Sequence, residues 1–297
     1  MNIHIIGSGS IGLLLAAYLS EQHDVTVYTN RMEQKEKLFS ESLCLEKEKQ
    51  KIFLSNLSFQ TFDTYTNREN SQADLVFIAV KQYHLQVMMP TLQTIQSPCV
   101  FLQNGMGHLA LLEHLTCGTI GVGVITHGAL RKNDTTVVHT GMGNIKVGAV
   151  RGDSKTLHQL VDACFSEIFP ITYEEDILPF VYEKLFMNAI INPLTALYRV
   201  KNGELVKNPF FTQSSRQLYE ELKRVFPFIE KQVPMEHIFL LCERTSENQS
   251  SMLKDIDEKR KTEIDAIVGY VLQEANKQAL DLPCFQFVYS SIKGLEV

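Results

Sequence analysis

Three glycines near the amino terminus have the spacing of a nucleotide-binding turn. Gly7, Gly9 and Gly12 form a G-x-G-x-x-G pattern directly after the apolar residues 3–6 and before the apolar residues 13–19. In such a turn the first glycine permits the bend, the second lets the backbone approach a pyrophosphate, and the third allows the helix to pack closely on its strand. This order of strand, turn and helix predicts a dinucleotide site with the phosphates at the helix amino terminus.

The residues at the end of the next apolar run, 25–28, indicate which nucleotide is bound. Sites that prefer NAD usually carry an acidic residue there, which accepts hydrogen bonds from the ribose hydroxyls. Residues 28–31 read Tyr-Thr-Asn-Arg and contain no carboxylate. Arg31 suits a 2′-phosphate because the donors of a guanidinium match phosphate oxygens, so we expect NADPH. The alternative is that Arg31 is a solvated loop residue.

A second set of polar residues lies in an apolar stretch of the carboxyl-terminal half. Lys184, Asn188 and Asn192 are four residues apart, so they line one side of a predicted helix. Buried polar groups need partners, and a substrate with carbonyl, carboxylate and hydroxyl groups would supply them. Pro193 favours a kink beside these residues. The alternative is a narrow solvated stripe.

Two more polar residues directly follow predicted strands of the first half. Lys81 comes after residues 75–79, and Asn104 comes after residues 99–102. Open α/β sheets bind ligands at the carboxyl ends of their parallel strands. We therefore expect Lys81 to counter phosphate or substrate charge, and Asn104 to hydrogen-bond the nicotinamide ribose or the substrate. The alternatives are a surface lysine and a turn asparagine.

The polar residues between 250 and 265 have simpler interpretations. Ser250 and Ser251 fit an amino-terminal helix cap, and Thr-Glu-Ile-Asp at 262–265 resembles a capping box before an amphipathic helix. No serine or cysteine lies in a nucleophile elbow, and the nine histidines lack a metal-binding spacing. The sequence therefore predicts neither a catalytic triad nor a metal site.

The elements that must position these residues follow an α/β pattern through about residue 150. Short apolar runs alternate with helical stretches such as 11–20 and 84–94, which predicts a parallel sheet with crossover helices. The predicted strands are 3–6, 25–28, 43–46, 52–54, 75–79, 99–102 and 119–124.

The pattern changes in the second half, which becomes almost wholly helical. Before that change, residues 137–140 and 146–149 flank Gly-Met-Gly-Asn and predict an added hairpin. The predicted fold class is α/β, with a Rossmann-type dinucleotide-binding domain at 1–172 and a second, mainly α-helical domain at 173–297.

Composition limits the classes of partner. The chain has 297 residues, 44% hydrophobic and 21% charged, which is enough for two domains with substantial cores. A net charge of −6 gives no basic footprint, so we expect neither nucleic acid nor membrane as a partner. We expect no signal peptide, because the first predicted strand follows directly after the start of the sequence, and the six cysteines contain no C-x-x-C pair. We expect a cytoplasmic protein with reduced thiols.

Taken together, these residues resemble the ketopantoate reductase (2-dehydropantoate 2-reductase) family along essentially the whole chain. Individual motifs are common, but their combination in this order is specific. The motifs are Gly-Ser-Gly-Ser-Ile-Gly at 7–12, Arg31, Val-Lys-Gln-Tyr-His at 80–84, Leu-Gln-Asn-Gly-Met-Gly at 102–107, Thr-His-Gly-Ala at 126–129, Lys-Leu-Phe-Met-Asn-Ala-Ile-Ile-Asn-Pro-Leu-Thr-Ala-Leu at 184–197, Asn-Gly-Glu-Leu at 202–205, and the segment from 250 to 265 that begins Ser-Ser-Met-Leu-Lys-Asp-Ile.

The resemblance implies roles for individual residues. Lys184 matches the general acid of the family, and Glu263 matches a glutamate beside the cofactor and the catalytic site. The implied NADPH contacts are Gly7, Ser8, Gly9, Ser10, Ile11, Gly12, Arg31, Lys81, Asn104, Ala129 and Glu263. The implied substrate contacts are Asn104, Lys184, Asn188, Asn192, Asn202 and Ser251.

The implied activity is NADPH-dependent reduction of a small-molecule 2-oxo acid, 2-dehydropantoate, to (R)-pantoate in pantothenate and coenzyme A biosynthesis. A buried Lys184 tends to lose its charge, and a nearby Glu263 would help keep it protonated. One alternative is another branched 2-oxo acid, because resemblance fixes chemistry better than the side-chain pocket. Another is a protein that senses NADPH without catalysis, which would have no need for the catalytic set. The sequence leaves a homodimer open.

Overall fold

The computed structural model of the protein describes residues 1–65 and 73–296, and these form two compact units. The first unit comprises residues 1–103 and 110–177, and the second comprises residues 104–109 and 178–297. The strands are β1 (Asn2–Ile6), β2 (Asp24–Thr29), β3 (Leu43–Lys47), β4 (Gln50–Leu54), β5 (Leu57–Thr61), β6 (Leu75–Ile78), β7 (Cys99–Phe101), β8 (Ile120–Ile125), β9 (Gly128–Arg131), β10 (Thr136–Gly141), β11 (Ile145–Arg151) and β12 (Ile171–Tyr173).

The described helices are unevenly divided between the two units. Only short or medium helices accompany the strands, whereas the carboxyl-terminal part is built almost wholly of helix. The α-helices are α1 (Ser10–Leu19), α2 (Met32–Glu41), α3 (Gln82–Leu92), α4 (Leu109–Leu112), α5 (Ser154–Ala163), α6 (Leu178–Tyr198), α7 (Glu204–Lys207), α8 (Pro209–Val225), α9 (Ile229–Gln232), α10 (Met235–Arg244), α11 (Ser251–Asp257), α12 (Tyr270–Lys277) and α13 (Pro283–Leu295).

The first unit is organised around an eight-stranded sheet in the order β12-β11-β8-β7-β6-β1-β2-β5. The six strands from β8 to β5 in that order are parallel, and β11 runs antiparallel to β8. β6 is apolar and fully buried, and β1 is buried at every residue except Asn2, as expected of central parallel strands covered on both faces. The predicted fold class, α/β with a Rossmann-type first part and a helical second part, is confirmed.

A separate four-stranded sheet, in the order β4-β3-β10-β9, contains the residues 43–46 and 52–54 that the sequence assigned to strands. The predicted hairpin of residues 137–140 and 146–149 is wrong. β10 pairs antiparallel with β9, whereas β11 pairs antiparallel with β8 in the other sheet. Between them, the carbonyl of Asn144 accepts a hydrogen bond from the Thr126 N–H at 2.9 Å. The Gly-rich segment therefore crosses from one sheet to the other and does not form a tight turn.

The long helix α6 is central to the second unit. It packs against α8, α11 and α13, and most of its aliphatic side chains are buried. The helix continues through Pro193 to Tyr198. Proline in a helix interior removes one backbone hydrogen bond, and burial among neighbouring helices compensates for that loss.

The predicted capping box at residues 262–265 forms only in part: the Thr262 hydroxyl oxygen accepts a hydrogen bond from the Ile264 N–H at 3.1 Å. The N–H and hydroxyl of Thr262 both donate to the Glu296 carboxylate, at 2.8 and 2.6 Å. The Asp265 carboxylate accepts from the Tyr289 hydroxyl at 2.7 Å and does not return to the Thr262 N–H. Residues Asp265–Gly269 form a π-helical turn that leads into α12. Contacts with Glu296 and with Tyr289 of α13 thus take the place of the reciprocal half of the box.

The cysteines are reduced, and the described helices are not of a membrane-spanning kind. All six cysteines are thiols without a disulfide, and every one except Cys284 is buried. Over residues 1–65 and 73–296, each helix is too short or too polar to cross a lipid bilayer.

Candidate functional site

The glycine turn between β1 and α1 has the geometry of a phosphate-binding turn. A Cβ atom at Gly12 would lie 1.8 Å from the Gly7 carbonyl oxygen, so this position requires glycine. At Gly9 a Cβ would meet no heavy atom within 4 Å among the described residues, which leaves space beside the turn for a ligand. Gly9 is also the N-cap of α1, and no side chain caps this helix. The first N–H groups of α1 therefore suit a pyrophosphate.

Arg31 lies directly after β2, at the N-cap of α2. Its guanidinium forms an ion pair with Asp134, which lies in the turn between β9 and β10. The ammonium of Lys37 is 3.0 Å from the other carboxylate oxygen of Asp134. Both cations are about half exposed, at 49% and 54% of their side-chain surface. Two accessible cations, one directly after β2 and one on α2, suit a phosphate group.

Lys81 and Ala129, the two other predicted cofactor contacts of the first unit, lie on separate elements. Lys81 is the N-cap residue of α3, directly after the end of the parallel strand β6. Ala129 lies in β9, where it pairs with His139 of β10. Lys81 is therefore at the edge of the sheet where ligands bind in this fold.

In the second unit, Asn104 and Glu263 are brought together although 159 positions separate them. The Asn104 amide donates to the Glu263 carboxylate at 2.8 Å, and Glu263 is only 6% exposed. The following residue, Gly105, has a φ of +76°, and a Cβ there would lie 2.2 Å from the Ala266 carbonyl oxygen. This close approach of the backbone to the π-helical turn requires glycine, and it places Asn104 beside Glu263.

Lys184 of α6 has the electrostatic environment expected of a proton donor. The Lys184 side chain is half-buried. This burial lowers the pKa of Lys184 to about 8, while the negative charge of Glu263 raises it in opposition. A lysine with a pKa near the working pH exchanges its proton readily, which an exposed lysine does not.

The remaining predicted substrate contacts differ in burial. Asn188 is half-buried, and Asn192 is buried at 7% exposure one turn farther along α6. The Asn202 amide donates to the Thr245 hydroxyl at 2.9 Å, and its buried oxygen has no hydrogen-bond partner among residues 1–65 and 73–296. That oxygen is suited to a hydroxyl donor. Ser251 is exposed at the start of α11.

Ser250, next to it, has the structural role that the sequence predicted for this pair. Its hydroxyl oxygen accepts a hydrogen bond from the Leu253 N–H at 3.1 Å, which makes Ser250 the N-cap of α11. It also accepts from the Thr195 hydroxyl of α6 at 2.7 Å. The cap prediction is confirmed for Ser250, and Ser251 is left with its side chain toward solvent.

Sequence reasoning missed three residues around the glycine turn: Gln34, Lys37 and Asp134. The buried Gln34 amide accepts from the Ser8 hydroxyl at 2.7 Å and donates to the Ser8 and Asp134 carbonyl oxygens, both at 3.1 Å. It thus ties the turn to the β9–β10 loop. Gln34 and Lys37 follow Arg31 by three and six residues on α2, and this spacing could have indicated that they lie near it. No local sequence pattern indicates that Asp134 lies there.

Comparisons with known proteins show the family of the chain. Residues 3–152 match the family model described as Ketopantoate reductase PanE/ApbA, and residues 176–296 match the model of its C-terminal part. The chain is 43% identical to the 2-dehydropantoate 2-reductase of Bacillus subtilis (strain 168), over 100% of this chain and 98% of that protein.

Solved structures give the same result. The crystal structure of the probable 2-dehydropantoate 2-reductase panE from Bacillus subtilis aligns with a TM-score of 0.87 and 42% identity, covering 99% of this chain and 100% of that one. D-mandelate dehydrogenase with NADH and anilino(oxo)acetate aligns with a TM-score of 0.90 over 100% of this chain and 98% of that one. At 20% identity, the latter shares the fold alone. The family predicted from the sequence is confirmed: the chain belongs to the ketopantoate reductase PanE/ApbA family.

Proposed function

We propose that the protein is an NADPH-dependent oxidoreductase that reduces the C2 ketone of 2-dehydropantoate to (R)-pantoate in pantothenate and coenzyme A biosynthesis. The observation that carries the proposal is the set of Lys184, Glu263 and Asn104, of which Glu263 is buried and the other two are half-buried, in a chain that belongs to this family along its length. When bound, NADPH supplies the hydride.

The first unit holds the nucleotide in this proposal. Gly7, Ser8, Gly9, Ser10, Ile11 and Gly12 form the turn around the pyrophosphate, and Arg31 binds the 2′-phosphate. Lys81 and Ala129 complete the proposed contacts of the first unit, and Asn104 and Glu263 are the proposed contacts that belong to the second unit. The uncapped amino terminus of α1 and the open space at Gly9 support a pyrophosphate there.

The second unit supplies the proton. Lys184 hydrogen-bonds the ketone oxygen, on which negative charge develops, and transfers its proton to that oxygen. Glu263 favours the ammonium form of Lys184, so the donor is protonated at neutral pH although it is buried. Asn104 donates to Glu263 and keeps this carboxylate in place.

The asparagines and Ser251 orient the substrate. Asn188 and Asn192 lie one and two turns beyond Lys184 on α6, so they reach groups adjacent to the ketone. The orphan oxygen of Asn202 accepts from a substrate hydroxyl, and Ser251 hydrogen-bonds the substrate. Correct orientation of the reacting carbon accounts for a large part of the acceleration in such reactions.

Replacing Arg31 by alanine is expected to weaken NADPH binding by about 10–100-fold, because hydrogen bonds to a charged phosphate are lost. NADH has no 2′-phosphate, so its dissociation constant should change by less than about threefold. Titration of each nucleotide, followed by its own fluorescence, measures both values without interference from protein indole, since the chain has no tryptophan. An equal loss of affinity for both nucleotides would contradict the proposal that Arg31 binds the 2′-phosphate.

A panel of 2-oxo acids tests the substrate. We expect the highest kcat/KM for 2-dehydropantoate, and lower values for 2-oxo acids that lack its hydroxyl, because a polar group built to bind that hydroxyl is then left unpaired. A higher kcat/KM for another branched 2-oxo acid would keep the reaction class and change the substrate.

A further inference from the structure

The end of β2 lacks an acidic residue in the sequence, but the fold brings one there. The Asp134 carboxylate comes from the β9–β10 loop, 103 positions from Arg31, and contacts both Arg31 and Lys37. Only 18% of its side-chain surface is exposed, against about half for the two cations. A carboxylate therefore lies next to the residue proposed to bind the 2′-phosphate.

The position of Asp134 is fixed by the surrounding loop. The Gln34 amide donates to the Asp134 carbonyl oxygen at 3.1 Å and to the Ser8 carbonyl oxygen of the glycine turn at the same distance. Across the loop, the Thr135 N–H donates to the Asn133 side chain at 2.9 Å. Lys37, and then Arg31, hold the pKa of the Asp134 carboxyl below its ordinary value, so this group is anionic at neutral pH.

We propose that Asp134 is a specificity-determining residue of the nucleotide site, which opposes the 2′-phosphate of NADPH and accepts a hydrogen bond from the 2′-hydroxyl of NADH. This proposal rests on the proposed binding of NADPH. Within it, Lys37 is a second cation for the 2′-phosphate beside Arg31. The two cations favour NADPH, and Asp134 limits that preference.

Asp134 has two physical effects, and both lower the preference of the site for NADPH over NADH. A phosphate monoester carries a charge of about −1.5 to −2 at pH 7, so a neighbouring carboxylate repels it. A carboxylate also accepts hydrogen bonds from ribose hydroxyls, as the acidic residue at the end of this strand does in NAD-binding sites. Loss of the charge should therefore raise the ratio of NADPH to NADH affinity.

The test uses Asp134→Asn and Lys37→Gln in the full chain, with NADPH and NADH titrated separately against each protein. For Asp134→Asn we expect NADPH to bind about fivefold tighter, the change in affinity for one unit charge near contact in a solvated setting. NADH binding should be unchanged or weaker. Lys37→Gln should weaken NADPH about fivefold and leave NADH unchanged.

Lys35→Gln is the matched control, because it removes the same charge from the same helix without an Asp134 contact among the described ion pairs. It should change neither affinity by more than about twofold. Thermal unfolding of each variant without nucleotide checks that the fold is retained. An unchanged or lower ratio of NADPH to NADH affinity in Asp134→Asn would overturn the proposal. Weaker binding of NADPH by this variant would also overturn it, because it would show that Asp134 only positions Arg31. If the unmodified protein binds neither nucleotide, the proposed function fails as well.

Discussion

Replacing Lys184 by alanine is expected to lower kcat by about 10²–10⁴-fold, the usual contribution of a positioned general acid. The ketone oxygen then has no proton donor at the site. The dissociation constant of NADPH should change by less than about twofold, because the proposed nucleotide contacts do not include Lys184. Steady-state turnover and a nucleotide titration on the same preparation measure the two quantities.

Two further variants make the Lys184 result specific. Lys184→Arg keeps the positive charge but cannot release a proton near neutral pH, so it should remain at least about 100-fold impaired. Lys207→Ala removes an exposed lysine of the same unit and should leave kcat unchanged. Turnover of Lys184→Ala close to that of the unmodified protein would exclude Lys184 as the general acid.

Replacing Glu263 by glutamine is expected to move the alkaline limb of the pH profile of kcat/KM to lower pH. Because burial lowers the pKa of Lys184 to about 8, we expect activity below pH 8 and its loss as the pH rises through that value. Glu263 raises the pKa of Lys184, so loss of its charge should lower the limb by about one pH unit. At pH 8 the kcat/KM of Glu263→Gln should then be about one fifth of that of the unmodified protein.

Glutamine is the informative substitution because its side-chain oxygen can still accept the hydrogen bond from Asn104. The charge is therefore removed while the contact that orders the segment is retained. Asp265→Asn is the control, since Asp265 lies two residues away and contacts Tyr289 and Lys293. The alkaline limb of the Asp265→Asn profile should stay at the pH of the unmodified protein. An unchanged limb in Glu263→Gln would show that Glu263 does not set the pKa of the proton donor.

Local patterns were enough to predict the central part of the fold. The apolar runs around β1, β2, β6 and β7 and the glycine turn are continuous in sequence, and parallel strands buried on both faces differ clearly from the helices between them. The i, i+4 spacing of Lys184, Asn188 and Asn192 likewise placed them on one helix, which α6 confirms.

Features that depend on distant pairing could not be predicted from the sequence. β10 and β11 each have an alternating pattern that fits a hairpin, but the choice of partner strands is made by β9 and β8. The Thr-Glu-Ile-Asp segment has the residues of a capping box. However, the Thr262 N–H and hydroxyl both donate to the carboxylate of Glu296, which lies directly after α13. Local rules fail where a buried tertiary partner competes with the local one.

The same reasoning explains which parts of the site were missed. Asp134 and Arg31 are 103 positions apart, and Asp134 lies in a turn whose composition is that of any exposed loop. Asn104 and Glu263 were both singled out, but their 2.8 Å contact depends on the backbone approach at Gly105, which no local pattern announces.

The most direct test of the central claim is the reaction of the purified protein with 2-dehydropantoate and NADPH, followed by nucleotide absorbance and by identification of the product. We expect one NADPH to be oxidised for each pantoate formed, with the rate falling above about pH 8 as Lys184 loses its proton. A correctly folded protein that binds NADPH but forms no pantoate from 2-dehydropantoate would contradict the account.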